Sequence, residues 1–166
     1  FEVDRHKVTP LTSDQERSLM AVRLTVARSR MALLVATAHL ESGAENGDVR
    51  RTQLREARTL LRDEHADAVV FAGDLTLRDV EGTPEGLGEA AWGLAGEPAE
   101  RMWTWPSGAQ EGRAQRFDRV LLQGRPAVLG ARKAFAQTLS LREDSFALLE
   151  SQHSDHRGVR CAVELT

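Results

Sequence analysis

The chain lacks several features that would narrow its function at once. Cysteine occurs once in 166 residues, at Cys161, so no disulfide can form within the chain and a reducing cytoplasm is the simplest location. No apolar run approaches membrane-spanning length, and residues Phe1 to His6 lack the basic and apolar regions of a secretory signal. The sequence therefore predicts a cytoplasmic, non-membrane protein with one domain over residues 1–166.

Lysine is also scarce, and positive charges do not outnumber negative ones. The formal net charge is −3, so no overall basic field draws the protein to nucleic acid. Of the 22 basic residues only Lys7 and Lys133 are lysines. Compositional bias of the source genome explains this skew, and so does phosphate recognition, to which the planar guanidinium is suited. Composition alone leaves both explanations open.

Apolar spacing in the first half of the chain predicts strands and one helix. The alternation from Met20 to Val26 and the dense apolar run Met31–His39 predict two strands joined by a hairpin turn at Ser29-Arg30. Helical spacing from Asp48 to His65 predicts an amphipathic helix with Asp48 as its N-cap. A short buried strand, Ala68–Ala72, follows.

The second half of the chain has a less regular pattern. Glycine and proline mark residues 81–100 as a loop region with one short helix near Glu89–Leu94. Cys161 alternates with apolar neighbours and is predicted to lie in the core. Because hairpins and a strand–helix–strand unit both occur, we expect a layered α/β domain with mixed sheets. The other predicted elements are strands at Met102–Trp105, Gln115–Leu122, Ala127–Ala134 and Val159–Leu165, and a variable loop from Ser140 to Gln152.

Reactive side chains gather at the ends of predicted strands. They lie in four clusters: Thr37–Ser42, Gly73–Asp79, Arg116–Val120 and Ser154–His156. Carboxylates hold hard cations such as Mg²⁺, and histidine and arginine bind phosphate oxygens, so the set suits metal-dependent phosphoryl chemistry. Taken singly, each also has an ordinary explanation. His39 fits a half-buried histidine, Asp74 a turn residue and Arg78 a solvated loop charge.

The order of these clusters resembles the endonuclease/exonuclease/phosphatase superfamily. The resemblance is greatest to its 5′-tyrosyl-DNA phosphodiesterase branch, which shares Thr-x-His-Leu-Glu-Ser, Phe-Ala-Gly-Asp-x-Asn-Leu-Arg-Asp, Thr-Trp, Arg-Phe-Asp-Arg and Ser-Asp-His. The corresponding segments here are Thr37–Ser42, Phe71–Asp79, Thr104-Trp105, Arg116–Arg119 and Ser154–His156. The resemblance runs from about Leu19 to the C-terminus, and it implies a DNase I-like α/β sandwich of mixed sheets.

The resemblance implies catalytic roles for the matching residues. Asp74 would position or deprotonate the attacking water and contact the metal, Mg²⁺ or alternatively Mn²⁺. Asp155 would lie in the shell of that metal. His156 would bind the phosphate and stabilise charge in the transition state, and Asp118 would fix the tautomer of His156 through a hydrogen bond. His39 would also contact the phosphate.

The resemblance also implies contacts with the substrate, a phosphodiester that includes DNA among its candidates. Ser42 and Thr76 would contact the phosphate, and Arg78 would support the phosphate or the rest of the substrate. Trp105 would offer a face on which a base stacks, an interaction of about 1–3 kcal/mol. The alternative for Trp105 is a tryptophan of the core or its rim.

Two departures from the family pattern stand out. Thr76 replaces an asparagine, and a single hydroxyl offers less hydrogen bonding than an amide. The family's domain also begins with a strand that carries an asparagine, followed by a Gln-Glu segment whose Glu binds the metal directly, and nothing before Leu19 resembles either. We therefore expect the C-terminal portion of such a domain, without its N-terminal strands. An exposed apolar sheet face would then need a partner chain, self-association or a helix to cover it.

The leading hypothesis from the sequence is a metal-dependent phosphodiester hydrolase, with 5′-linked DNA adducts as candidate substrates. A second hypothesis is a catalytically impaired remnant that binds phosphate or nucleic acid, because Thr76 and the missing Glu weaken the site. A third keeps catalysis but assigns a phosphatase or phospholipase-type substrate, as in other branches of the superfamily.

Overall fold

The computed structural model describes residues 1–78, 81, 88–89, 104–105, 115–124, 139–141, 147–149, 152 and 154–165. Six strands in this part of the chain form one sheet: β1 (Glu2–Pro10), β2 (Ser18–Thr25), β3 (Ala32–Ala38), β4 (Ala68–Asp74), β5 (Gly88–Glu89) and β6 (Asp118–Gly124). Their order is β1-β2-β3-β4-β6-β5, with β3 and β4 parallel and the other neighbours antiparallel. The predicted mixed sheet is confirmed.

The β2–β3 hairpin and the crossover helix lie where the sequence predicts them. The Val26 N–H donates to the Met31 carbonyl at 2.8 Å and so closes the turn that contains Ser29-Arg30. After a short 3₁₀ turn, helix α1 runs from Gly47 to Asp63 and connects β3 to β4. The predicted N-cap is wrong, because Asn46 holds that position and Asp48 lies in the first turn. There its negative charge still faces the positive end of the helix dipole.

One face of the sheet packs against α1 and forms the main core. Leu54, Ala57 and Leu61 of the helix are buried against the sheet, where Leu34 and Phe71 are at most 1% exposed. These helix positions recur every three to four residues, so they form one apolar stripe, while strand residues reach the same face at every second position. This packing fixes the ends of β3 and β4 relative to each other.

The opposite face of the sheet, here called the open face, leaves large apolar side chains in solvent. Val8 pairs with Met20, and Val22 pairs with Val35 on the neighbouring strands, so these residues share one face. Val3 is 68% exposed, Val8 59%, Met20 45% and Val35 37%. The exposed apolar sheet face expected from the sequence is therefore present.

The N-terminal strand is an element that the sequence did not reveal. Apart from Thr9, every residue of β1 is exposed, and the strand lies at the edge of the sheet with β2 as its one neighbour in the described residues. Val3 is the one apolar residue from Glu2 to Lys7, so this part of the strand lacks the apolar alternation that marks a half-buried strand. An edge strand does not need that pattern.

The C-terminal region differs most from the sequence-based expectation. The predicted single strand Val159–Leu165 is two strands, β9 (Gly158–Arg160) and β10 (Val163–Leu165). They pair with different partners, β8 (Ala147–Leu149) and β7 (Leu139–Leu141), both of which lie in the segment expected to be a loop. Strand β9 ends at Arg160 and β10 begins at Val163, and Cys161 between them is half-buried rather than in the core. Burial raises the pKa of the Cys161 thiol.

Some predicted elements fall partly or wholly outside the described residues. The strand Ala127–Ala134 lies outside them, as does the helix near Glu89–Leu94 except for Glu89, which is in β5. Of the strand Met102–Trp105, the end is described, and Trp105 forms an isolated bridge with Gln115. No helix in the described ranges is long and apolar enough to span a bilayer.

Gly73 allows β4 to approach the end of β3, and its replacement tests that contact. Its φ is 154°, and a Cβ there would lie 2.3 Å from the Ala38 carbonyl oxygen. We expect Gly73→Ala to lower the free energy of unfolding by about 1–3 kcal/mol, measured by urea denaturation. Gly47→Ala is the matched control, because its Cβ would meet nothing closer than 3.6 Å. Equal stability of both variants would contradict the close approach.

Candidate active site

The ends of the parallel strands β3 and β4 bring the first two candidate residues together. His39 directly follows β3 and Asp74 ends β4, and the Leu40 N–H donates to the Asp74 carbonyl at 3.0 Å. The His39 Nε2 atom lies 3.3 Å from the Asp74 Oδ2 atom. The structure brings this pair together because two parallel strands present their carboxyl ends at one edge of the sheet.

Thr76 holds the other oxygen of Asp74. The Oδ1 atom accepts the Thr76 N–H at 2.8 Å and lies 3.2 Å from the Thr76 hydroxyl, which is also 3.3 Å from the Leu40 carbonyl oxygen. Thr76 is 7% exposed, so the hydroxyl faces the protein interior. Its φ of 48° lies in the left-handed region, which asparagine tolerates far better than a β-branched residue. The predicted phosphate contact of Thr76 stays a prediction.

Asp118 and His156 form the opposite side of the cluster. Asp118 begins β6 directly opposite Asp74, and its Oδ2 atom lies 2.7 Å from the Nδ1 atom of His156. The Nε2 atom of His156 lies 3.8 Å from the Oδ2 atom of Asp74. One carboxylate oxygen of Asp74 therefore faces two imidazoles, and the Asp118 carboxylate lies within hydrogen-bond distance of one of them. The orienting role that the resemblance implies for Asp118 stays a prediction.

Thr104 fixes the backbone that carries Asp118. Its hydroxyl oxygen accepts the N–H groups of Phe117 and Asp118, both at 3.0 Å, and the side chain is fully buried. Thr104 belongs to the Thr-Trp pair, but its role was not evident from the sequence. Two backbone donors on one buried hydroxyl give this threonine a structural reason to occupy the position.

Nearby carboxylates favour the protonated form of the His156 imidazole. Burial alone would lower the pKa of its imidazole, but the hydrogen bond and charge of Asp118 oppose burial, with further help from Asp74 and Asp155. The pKa of His156 is therefore raised above its ordinary value. An imidazolium at this position presents its Nε2 proton toward Asp74 and the adjoining surface.

Trp105 and Asp155 lie together beside this cluster. The indole N–H of Trp105 donates to the Asp155 Oδ2 atom at 3.2 Å. The half-buried indole also packs on Phe117, with ring centroids 5.6 Å apart at 30°. Trp105 is thus a tryptophan at the rim of the core, and its hydrogen bond orients an exposed carboxylate. Stacking of a base on this ring stays a prediction.

Ser42 links the site to a residue that the sequence motifs did not include. The Ser42 hydroxyl lies 3.4 Å from the His39 Nε2 atom and accepts an N–H from the Arg17 guanidinium at 3.0 Å. The backbone N–H of Ser42 donates to the side chain of Gln15 at 3.0 Å. Arg17 lies in the turn between β1 and β2, before the region of family resemblance, so no motif pointed to it. It adds a positive charge to this edge of the site.

Buried polar contacts support the loops that carry these residues. Arg50 is fully buried and forms a two-point ion pair with Glu81, with contacts of 2.9 and 2.6 Å. The same guanidinium donates to the carbonyls of Glu41 and Gly43 at 2.8 and 2.7 Å. Helix α1 therefore holds the loop after β3 and the loop after β4 in one arrangement. Arg78, between Asp74 and Glu81, is half-buried, and its role with substrate stays a prediction.

Among the described residues the donor set is too small for a metal site. Within the described ranges, no three His, Cys, Asp or Glu side chains are arranged to hold a metal ion. Asp74 and Asp155 are the predicted metal residues, but one Asp74 oxygen is bound to Thr76 and one Asp155 oxygen accepts Trp105. The described residues alone therefore do not fit a Mg²⁺ site, which takes near-octahedral oxygen coordination.

The chain is similar to tyrosyl-DNA phosphodiesterases in sequence. It is 31% identical over 124 residues to tyrosyl-DNA phosphodiesterase 2 of Danio rerio, an alignment that covers 68% of this chain and 33% of that protein. The 5′-tyrosyl-DNA phosphodiesterase of Caenorhabditis elegans is 29% identical over 137 residues, or 75% of this chain and 37% of its own length. No protein-family model matches the chain. It thus spans about a third of the length of these relatives.

Solved structures give the same fold. The D. rerio TDP2 structure with a single-strand DNA product has a TM-score of 0.71 at 24% identity, covering 98% of this chain and 68% of that one. An endonuclease/exonuclease/phosphatase family protein of Bacteroides thetaiotaomicron has a TM-score of 0.61 at 10% identity, covering 98% and 65%. The predicted DNase I-like class is confirmed. The chain belongs to the endonuclease/exonuclease/phosphatase superfamily, in its tyrosyl-DNA phosphodiesterase branch, and corresponds to part of the length of its relatives.

Proposed function

We propose that this chain carries the phosphate-binding side of a metal-dependent phosphodiester hydrolase. The observation that supports this most directly is the placement of Asp74, whose Oδ2 atom lies 3.3 Å from His39 and 3.8 Å from His156. A carboxylate between two imidazoles, one of them oriented by a second carboxylate, supplies both a base and cationic donors at one point. Asp74, His39, Asp118 and His156 are the residues to which we assign catalysis.

The proposed chemistry uses His156 as a cation and Asp74 as an oriented base. Asp118 holds the Nδ1–H of His156, so Nε2–H is available to a phosphoryl oxygen and can neutralise charge that develops there. Thr76 holds one oxygen of Asp74, which directs the other oxygen toward His39 and His156, where it would accept a proton from the attacking water. His39, with Ser42 behind it, would contact a second phosphate oxygen.

Dependence on Mg²⁺, with Mn²⁺ as an alternative, is part of this proposal. Asp74 and Asp155 are the oxygen donors assigned to the metal, and the set needs ligands beyond the described residues. A divalent cation held by these residues would supply Lewis-acid polarisation of the phosphoryl group.

The names of the relatives suggest a 5′-tyrosyl-DNA adduct as the substrate, within DNA repair. Two features of the chain agree with a nucleic-acid substrate. The half-buried Trp105 ring lies beside the cluster through its bond to Asp155, where a base could stack on it. Arg17 and Arg78 add guanidinium groups near Ser42 and after Asp74, which suits contact with phosphates. A cytoplasmic location stays a prediction from the single cysteine.

One observation favours the alternative of a phosphate-binding remnant without turnover. The Thr76 hydroxyl is directed to Asp74 and Leu40, so it is not free to contact a phosphoryl oxygen. Calorimetry with Mg²⁺ and a 5′-phosphorylated oligonucleotide separates the two functions, because binding without turnover supports the remnant and turnover excludes it. Parallel assays with an inositol phosphate and a phospholipid test the phosphatase and phospholipase-type alternative.

Removal of either central side chain should abolish hydrolysis. We expect Asp74→Ala and His156→Ala each to reduce Mg²⁺-dependent cleavage of a 5′-phosphotyrosyl oligonucleotide by at least about 100-fold, since general acid–base groups contribute that much. Product formation is followed on gels with and without EDTA. Asp48→Asn, an exposed carboxylate change on α1, should keep full activity. Retained activity in either alanine variant would show that the site assignment is wrong.

The raised pKa of His156 predicts a pH dependence of stability and of phosphate binding. The protonated imidazole is stabilised in the folded state, so its contribution to stability is complete below the ordinary pKa. That contribution is lost as pH rises through the raised value. Asp118→Asn should lower the pKa of His156 and move this loss to lower pH.

The measurement is an NMR titration of the histidine Cε1 protons in metal-free buffer, with His156→Gln identifying the resonance. An unchanged His156 pKa in Asp118→Asn would exclude the proposed charge coupling.

Replacing Thr76 with the asparagine of the family tests whether this departure weakens the site. Asparagine accepts a φ of 48° at lower cost and adds an amide donor. Removing one such donor elsewhere costs about 100–1,000-fold in kcat, so Thr76→Asn should raise kcat by a measurable part of that range. Thr76→Val, which keeps the shape without a hydroxyl, is the control and should lower kcat. A lower kcat in Thr76→Asn would show that the hydroxyl serves this chain better.

A further inference from the structure

The free edge of β1 carries a self-complementary set of side chains, and we propose that a second copy of this chain pairs with it. The strand has 9 residues, and its far side has no neighbour among the described strands. An antiparallel partner strand would satisfy its unpaired backbone groups and continue the sheet. This proposal is independent of the catalytic function.

The backbone of β1 presents hydrogen-bonding groups at this edge. The Leu11 N–H donates to the Arg17 carbonyl at 2.9 Å, which continues the β1–β2 ladder beyond Pro10. Residues in an antiparallel pair alternate between those that bond across the pair and those that point away. Counting back from Leu11, His6 and Val8 therefore direct their backbone groups to the free edge. Pro10 falls in the same set, where its missing N–H costs no bond with β2.

A two-fold antiparallel register places opposite charges across the new edge. In this register residues 1 to 4 of one copy lie opposite residues 8 to 5 of the other. The four pairs, each present twice by symmetry, are Phe1 with Val8, Glu2 with Lys7, Val3 with His6 and Asp4 with Arg5. Shifting the register so that His6 lies opposite itself would instead set Arg5 against Lys7. Charge complementarity thus favours the first of these two registers.

The register shift in β1 lets paired residues of the two copies point to the same face of the sheet. Residues that lie opposite each other must point to the same face of a sheet. The register shift between Val3 and Arg5 puts Val3 and His6 on the open face, opposite Leu24 and Val22 of β2. Without that shift Val3 and His6 would point to different faces. The shift therefore allows both strands to pair across a shared centre.

The pairing would also cover exposed apolar surface and would give Lys7 an ion-pair partner. Phe1, Val3 and Val8 are 77%, 68% and 59% exposed, and the register brings all three together with their counterparts on the open face. Lys7 forms no ion pair with the described residues, and Glu2 has an exposed contact with Arg30 at 3.8 Å. Glu2 and Lys7 are therefore available to a second copy.

Charge-reversal variants test this pairing, because a second charge reversal should restore the association that the first one weakens. Lys7→Glu and Glu2→Lys each place like charges opposite each other twice, so each should weaken self-association of the 166-residue chain by about tenfold. A mixture of the two variants should associate, because one copy then carries acidic side chains at both positions and the other carries basic side chains at both. The double variant Glu2→Lys/Lys7→Glu should associate like the original chain. Sedimentation velocity over a concentration series measures these four samples and the original chain.

Two further variants separate the edge from other surfaces. Arg55→Glu makes the same change of charge on an exposed position of α1 and should leave association unchanged. Met20→Ser lies on the open face but outside β1, and it should have less effect than Lys7→Glu. The proposal is overturned if the original chain is monomeric at its highest soluble concentration, or if Lys7→Glu associates as well as the original. It is also overturned if the mixture fails to associate, or if Met20→Ser alone abolishes association.

Discussion

The close contact between the carboxyl ends of β3 and β4 determines how the site is built. Gly73 lets the two backbones approach, and the Leu40 N–H then reaches the Asp74 carbonyl at 3.0 Å. His39 and Asp74 become neighbours because of this contact, and β6 adds Asp118 directly opposite Asp74. The remaining histidine, His156, comes from the distant C-terminal segment but binds Asp118. A single backbone approach thus places two members of the cluster, and strand pairing places the third.

Sequence patterns predicted the part of the fold that has a buried face. The apolar residues of β2 and α1 recur with the period of the element. Strands β3 and β4 are dense apolar runs instead, because both of their faces contain buried residues, such as Leu33 and Leu34 in β3. Strand β1 was missed because it is an edge strand exposed on both faces. The break between β9 and β10 was missed because Val159, Cys161 and Val163 alternate without interruption in the sequence. Only tertiary pairing reveals that the chain changes partner there.

Site residues that belong to a sequence motif could be predicted. Residues that only support a motif residue through hydrogen bonds could not. The ordered motifs identified Asp74, Asp118 and His156, and the structure brings these together. Arg17 and Thr104 act through hydrogen bonds to Ser42 and to the backbone of β6, and such bonds depend on loops whose shape the sequence does not state. Thr76 belongs to a motif, but the sequence does not reveal that its hydroxyl faces the protein interior.

The buried Arg50 affects how the loops of the site unfold locally. Its guanidinium joins α1 to the carbonyls of Glu41 and Gly43 and to the carboxylate of Glu81. Opening either loop alone would leave a buried cation short of acceptors, which is costly in free energy. Local fraying of the loops around His39 and Asp74 is therefore suppressed, and these loops open together with the helix as one cooperative unit. Backbone amides on both sides of the cluster would then share the slow solvent exchange of the core.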